Sequence, residues 1–173
     1  MASASDPMVV RRFIGDVVDV FAPSINMSVY YGNKHITNGC NIKPSTAKNA
    51  PRVTIDGQPH EFFTLVMVDP DVPSPSEPIL REWVTWLVTN IPGGSSATRG
   101  NEVLPYIGLR PAAGIHHNIL VLFKQKTPLG LVERCFRSRA NFNTRAFAQQ
   151  QGMGEPVATV YFNSQREPKK QKR

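Results

Sequence analysis

The chain of 173 residues has the length of one domain, which excludes large modular proteins. Its 40% of hydrophobic residues can bury a core, while 15 prolines and 12 glycines disfavour a helix bundle and favour short strands joined by turns. The net charge of +7 is uneven, because residues 166–173 hold five Lys or Arg against one Glu and so contribute +4. The body is therefore only mildly basic, which disfavours direct binding to nucleic acid.

The hydrophobic pattern predicts one helix, then a series of strands, then a second helix. Apolar residues recur at three- and four-residue steps from Val9 to Phe21, as in an amphipathic helix. A second helix is predicted over Phe142–Gln151. The predicted strands are Asn26–Tyr31, Arg52–Ile55, Phe62–Val68, Trp83–Val88, Ile119–Phe123 and Val157–Phe162. The pattern favours a mainly β domain over 1–165, as two layers or a barrel with peripheral helices, and a flexible basic tail over 166–173.

The remaining composition indicates the compartment and excludes several kinds of site. Two cysteines, Cys40 and Cys135, make neither a disulfide framework nor a zinc site. We recognise no secretory signal and no apolar run of about eighteen residues that could span a membrane. We therefore expect a protein of the cytoplasm and nucleus. The tail is compatible with a nuclear-localisation run and equally with a frayed, solvated terminus.

An acidic, proline-rich loop follows the predicted strand that ends at Val68. Its sequence is Asp69-Pro70-Asp71-Val72-Pro73-Ser74-Pro75. Two carboxylates thus emerge together at the end of a buried strand, and the prolines stiffen the loop without regular hydrogen bonding. The pattern is typical of a pocket wall. A plain turn with solvated acids explains it equally well.

A pair of histidines, His116 and His117, opens the next apolar strand. Adjacent strand positions point to opposite faces, so the pair is a poor metal site, and no third ligand has suitable spacing. We expect His116 to pair with a carboxylate of the acidic loop, which would raise its pKa and leave a ring donor for an anion such as phosphate. The alternative is a structural histidine. No nucleophile with a partner is present, so an acid–base enzyme using Asp69, Asp71 and His116 is a minor hypothesis.

With these motifs, the chain resembles the plant branch of the phosphatidylethanolamine-binding protein family. The matching segments run from about Val10 to Glu167 and include the acidic loop, Gly114-Ile115-His116, Phe142-Asn143-Thr144-Arg145 and Val160-Tyr161-Phe162-Asn163. The resemblance implies a large central antiparallel sheet packed on a smaller sheet, with peripheral short helices. Further segments are similar to the Mother-of-FT group within that branch: Lys34-His35-Ile36-Thr37-Asn38-Gly39-Cys40, Ser76-Glu77-Pro78 and Ser138-Arg139-Ala140-Asn141.

The family's functional positions are retained only in part. Its anion pocket implies Asp69, Asp71, Thr85 and His116, but Thr85 replaces a histidine and His117 replaces an arginine. Each lost charge-assisted bond is worth about 1.5–3 kcal/mol, so the resemblance implies weak or absent binding of phosphate and phospholipid head groups. The two positions that separate flowering activators from repressors are Trp83 and Ala140 here, and neither matches either group.

The resemblance also implies a partner surface that binds 14-3-3 proteins, formed by His60, Pro92, Arg99 and Pro128. Three of these four differ from the residues of the activators, and a charged residue in place of an aromatic anchor weakens an interface. The function implied is a monomeric, non-enzymatic regulator of flowering, seed dormancy or germination that acts as a scaffold with bZIP factors or 14-3-3 proteins. Plant members are thought to display partner-determining surface on Thr127–Arg139. The alternative is a carrier or sensor of a lipid or phosphate head group, and no cofactor is implied.

Overall fold

The structure, a computed structural model, describes residues 14–15, 17–19, 21–130 and 138–168. In these residues nine strands are present, together with one 3₁₀ helix at Ala97–Arg99 and one α-helix, α1, at Thr144–Gln150. All of the predicted strands form, several of them longer than predicted. The strands are β1 (Met27–Tyr31), β2 (Lys34–His35), β3 (Cys40–Asn41), β4 (Arg52–Ile55), β5 (Phe62–Asp69), β6 (Trp83–Pro92), β7 (Asn101–Leu104), β8 (His116–Gln125) and β9 (Pro156–Ser164).

The strands form a small sheet and a large sheet, as predicted. The small sheet has the order β2-β1-β4, and the large sheet has the order β3-β9-β8-β5-β6-β7. All pairs are antiparallel except β3 with β9, which are parallel, so the large sheet is not purely antiparallel. Its centre is β5, which pairs with β6 on one side and with β8 on the other.

Residues of β5 alternate between two separate parts of the core. Phe63, Leu65 and Met67 face the small sheet, where they pack with Val29 and Val53. The intervening apolar residues, Val66 and Val68, pack on the opposite face against α1 and the N-terminal segment. Because both faces of this strand are covered, its sequence is a continuous apolar run rather than an alternating one.

The helix α1 begins two residues later than predicted. Asn143 caps it, because its side-chain oxygen accepts a hydrogen bond from the Ala146 N–H at 2.9 Å. Phe142, just before the cap, packs against Phe147 in the first turn, with ring centroids 5.5 Å apart. This contact is a hydrophobic staple, so Phe142 positions the helix without belonging to it.

The predicted N-terminal helix lies mostly outside the described residues. Within the described part, Ile14 O accepts hydrogen bonds from the N–H groups of Val17 and Val18 at 2.9 and 3.0 Å. All three side chains are buried in the same part of the core as Phe147. The segment 131–137, with Cys135, and residues 169–173 of the predicted tail also lie outside the described residues.

Candidate functional site

Three strands of the large sheet bring the acidic loop and the two histidines together. The end of β5 at Asp69 lies opposite the start of β6 at Trp83, and Val68 of β5 lies opposite Ile119 of β8, three residues after His116. Antiparallel neighbours place the end of one strand beside the start of the next, so residues 47 positions apart in the chain become neighbours. The predicted convergence of the two motifs is present.

His116 is held between two acceptors. Its Nδ1 lies 2.7 Å from Oδ2 of Asp69 and its Nε2 lies 3.0 Å from the carbonyl oxygen of Ala113, and the residue is 2% exposed. Burial by itself lowers the pKa of His116, but the hydrogen bond and charge of Asp69 outweigh burial and raise the pKa above its ordinary value. The imidazolium form donates to both acceptors. The ring donor that we expected to remain free for an anion is therefore occupied.

Asp71 pairs with the second histidine. Its Oδ2 accepts hydrogen bonds from both the backbone N–H of His117, at 2.8 Å, and the Nδ1 of that residue, at 2.9 Å. Burial by itself raises the pKa of Asp71, but the hydrogen bonds from His117 outweigh burial and lower the pKa. Asp69 joins the two pairs, since its Oδ1 accepts from the Asp71 N–H at 2.8 Å. Each acid thus holds one of the adjacent histidines.

A cavity of about 430 Å³ opens beside these two pairs. Of the predicted site residues, Asp69, Thr85 and Trp83 line it, whereas Asp71 and both histidines do not. Its volume lies within the usual range for small-molecule sites. The remaining lining is mostly apolar and comes from the loop before β6 and the segment after β7: Val72, Leu80, Ile107, Gly108, Leu109 and Arg110.

The two specificity positions lie in one latch, which we define as the backbone hydrogen bonds that join residues 138–144 to residues 79–85. Within it, the Val84 N–H donates to Arg139 O, and Glu82 and Phe142 exchange two bonds of 2.9 and 3.2 Å. Trp83 and Ala140 occupy the two sides of the latch. The sequence did not predict this pairing, and the role of the two positions in specificity stays a prediction.

Two residues of the latch were missed in the sequence. The guanidinium of Arg139 donates to the carbonyls of Thr85 and Pro105 at 2.9 and 2.7 Å, which ties the wall of the cavity to the latch. Glu82 is 6% exposed, and its Oε1 accepts from both the N–H and the hydroxyl of Thr144 at the start of α1. Burial raises the pKa of Glu82 to about 7, although the bonds from Thr144 act in the opposite direction. A glutamate next to Arg81 at the start of a predicted strand gave no signal of burial in the sequence.

The predicted partner surface lies at the other end of the large sheet. Phe62, at the start of β5, pairs with Pro92 at the end of β6 and with Gln125 at the end of β8. His60, Arg99 and Pro128 flank these strand ends and are exposed. The eight residues of β5 separate this surface from Asp69 by about 23 Å at the usual rise per residue.

Other findings concern classes of site named earlier. Among the described residues, no cluster of three or more His, Cys, Asp or Glu is arranged to hold a metal ion. No helix in the same residues is long and apolar enough to cross a membrane. Cys40 is a free thiol. The first part of the predicted tail is anchored, since Glu167 accepts a hydrogen bond from the Ser45 N–H.

Comparison with known proteins agrees with this geometry. The family model "Phosphatidylethanolamine-binding protein" matches residues 28–163. The chain is 49% identical to "Protein MOTHER of FT and TFL1 homolog 2" of Oryza sativa subsp. japonica, over 100% of both chains. It is 48% identical to "Protein FLOWERING LOCUS T" of Arabidopsis thaliana, over 94% of this chain and 92% of the relative.

Among solved structures, the fold is similar to that of "Phosphatidylethanolamine-binding protein from Plasmodium vivax". The TM-score is 0.76 at 20% identity, and the match covers 91% of this chain and 96% of that one. This likeness confirms the fold that the resemblance implied. The relatives in plants carry the names of flowering proteins and not of enzymes. The family match covers most of the chain, and the relatives are well above 30% identical along its length. This chain therefore belongs to the phosphatidylethanolamine-binding protein family.

Proposed function

We propose that this protein is a non-enzymatic regulator of plant development that acts as an interaction scaffold on transcription complexes. Its likeness over the full length to proteins named for flowering supports a role in flowering, seed dormancy or germination. The proposal that the protein is not an enzyme depends on His116, whose two ring nitrogens both face protein acceptors. A histidine held in this way has no ring nitrogen left to exchange a proton with a substrate.

The scaffold would act in the cytoplasm and nucleus through 14-3-3 proteins and bZIP transcription factors. The exposed residues at the far end of the sheet support this proposal, because about 23 Å separate them from the cavity and a partner there would leave the cavity open. Arg99 stands where activators of the family tend to have a phenylalanine. We therefore expect weaker 14-3-3 binding than that of an activator.

The test is a quantitative binding assay with purified 14-3-3 protein, followed by germination and flowering time in plants that express each variant. Arg99→Phe should tighten 14-3-3 binding by roughly tenfold, because it restores an aromatic anchor worth about 1–2 kcal/mol. Lys48→Phe adds the same exposed ring near the cavity, beside Gly108, and should leave binding unchanged. The proposed surface would be contradicted if Arg99→Phe left 14-3-3 binding unaltered while Lys48→Phe altered germination or flowering time.

The second candidate function is a carrier or sensor of a phospholipid head group. The cavity beside Asp69 favours it, whereas the occupied nitrogens of His116 disfavour it. Calorimetry with phosphocholine discriminates the two functions. We expect no binding at micromolar concentrations, and micromolar affinity that is lost in Asp69→Asn would favour the carrier instead.

A further inference from the structure

The strand β6 contains a bulge at Asn90, near its end. Phe63 of β5 pairs with Ile91 of β6. The next paired residues are Leu65 and Val88, so β6 has two residues between the pairs where β5 has one. The φ of Asn90 is 58°, in the left-handed region that few residues other than glycine adopt. A bulge redirects a side chain, and a strained backbone persists where the position of that side chain matters.

The bulge directs the Asn90 side chain to the segment that follows β8. Its Nδ2 donates to the carbonyl oxygen of Leu129 at 2.9 Å, and its Oδ1 accepts from the Leu129 N–H at 2.8 Å. One amide side chain therefore satisfies both backbone groups of a loop residue, as a neighbouring strand would. The same Oδ1 also accepts from Nε2 of Gln125, at 2.8 Å.

Gln125, at the end of β8, holds the other side of this segment. Besides its bond to Asn90, its Nε2 donates to the carbonyl oxygen of Thr127 at 3.1 Å. Its Oε1 accepts from the Asn90 N–H at 2.8 Å and from the Thr64 hydroxyl at 2.7 Å. Gln125 is 4% exposed, and both polar atoms of its side chain have partners, so its position is fixed. We call Asn90 and Gln125 the amide clamp.

Pro128 of the predicted partner surface lies between the two residues that the amide clamp holds. It is exposed and, as a proline, has no N–H group with which to anchor itself. Its position therefore depends on the bonds made by Thr127 and Leu129. Pro92 of the same surface follows Asn90 by two residues in β6, so both prolines are tied to one bulge.

We propose that the amide clamp fixes the geometry of the partner surface, so that 14-3-3 binding depends on Asn90 although Asn90 is not one of the predicted contact residues. Asn90 and Gln125 are positioning residues, since they act through Pro128. Without the clamp, Pro128 would sample several positions, and the apparent affinity would fall in proportion to the fraction of chains in the binding-competent one. This inference rests on the proposed scaffold function.

The experiment compares the 14-3-3 affinity of the full chain with that of two variants that carry the same substitution. Asn90→Gly removes the clamp, and glycine accepts the φ of 58° without strain. Asn141→Gly is the matched control, because Asn141 also has a positive φ, of 56°, and its Nδ2 also donates to a backbone carbonyl, that of Ile79, at 2.9 Å. Asn141 belongs to the latch, at the Asp69 end of the large sheet.

Asn90→Gly should weaken 14-3-3 binding by about tenfold, and Asn141→Gly should leave it unchanged. Asn90→Asp keeps an oxygen that accepts from Leu129 and Gln125 and loses only the bond to the Leu129 carbonyl. It should therefore restore most of the binding, to about threefold below the unmodified chain.

Hydrogen exchange of the Leu129 amide follows the clamp without any partner, because this N–H donates to Asn90. It should exchange about tenfold faster in Asn90→Gly than in the unmodified chain, and at an unchanged rate in Asn141→Gly. A stability difference between the variants would not produce this pattern, since both lose side-chain bonds to the backbone and both remain folded at the assay temperature by circular dichroism.

Three outcomes would overturn the inference while the proposed function stands: an unchanged 14-3-3 affinity in Asn90→Gly, an equal loss in Asn141→Gly, and an unchanged exchange rate of the Leu129 amide in Asn90→Gly. If Asn90→Gly does not fold, Asn90→Asp takes its place, and an affinity equal to that of the unmodified chain would overturn the inference. An unmodified chain that does not bind 14-3-3 protein would overturn the proposed function, and this inference with it.

Discussion

The buried carboxyl of Glu82 makes the stability of the protein depend on pH. Glu82 is 6% exposed, and burial raises its pKa from 4.5 to about 7 in the folded chain. The folded state therefore binds the proton more tightly than the unfolded state does. The stabilisation is fully present below the unfolded pKa and is lost as the pH rises through the folded pKa. Between these two values, the free energy of unfolding falls as the pH increases.

The test substitution is Glu82→Gln, which removes the ionisation and keeps a side-chain oxygen that can accept from Thr144. Because the pKa of Glu82 rises from 4.5 to about 7 on folding, the free energy of unfolding of the unmodified chain should fall by about 3 kcal/mol between pH of about 4.5 and about 8.5. The Glu82→Gln variant cannot ionise at this position, so its stability does not fall in this way. Its free energy of unfolding, relative to the unmodified chain, should thus increase by about 3 kcal/mol across that range.

Urea denaturation of both chains at five pH values between these limits measures the difference. Two other groups also make the stability depend on pH: the raised pKa of His116 makes it fall as the pH increases, and the lowered pKa of Asp71 makes it fall on acidification. Both contributions are the same in the two chains, so they cancel when one curve of unfolding free energy against pH is subtracted from the other. Glu77→Gln, the same change on an exposed residue two positions after the acidic loop, is the matched control and should give a flat difference. A flat or opposite difference for Glu82→Gln would refute the reasoning.

Two further predictions concern the site and its supporting helix. Asp69→Asn removes the charge that raises the pKa of His116, so the NMR titration of that ring should move to lower pH, and an unmoved or higher midpoint would contradict the pairing. Asn143→Ala removes the cap of α1 and should lower the free energy of unfolding by about 1 kcal/mol in urea denaturation, whereas Asn143→Ser, which keeps a capping oxygen, should cost much less. Equal losses in both Asn143 variants would exclude the cap as the cause.

Much of the fold could be predicted from local patterns. The apolar run of β5 and the alternation of β1 are visible in the sequence because side chains of a strand point to the two faces in turn. The pairing of His116 with an acid was also predictable, since both motifs flank apolar strands that belong in one sheet. The parallel pair of β3 with β9 was not predicted, because two-residue strands carry no periodicity.

The tertiary structure decided which groups of the site are bonded within the protein and which are open to a ligand. Whether the second nitrogen of His116 faces an anion or a protein group depends on where the turn at Ala113 closes, and this closure is not encoded in the spacing of the motif. The burial of Glu82 arises from the latch, which joins segments about 60 residues apart. Strand periodicity is a local property that the sequence alone determined. The acceptors and the cavity walls come from distant segments, so only their packing decides which groups a ligand or a proton can reach.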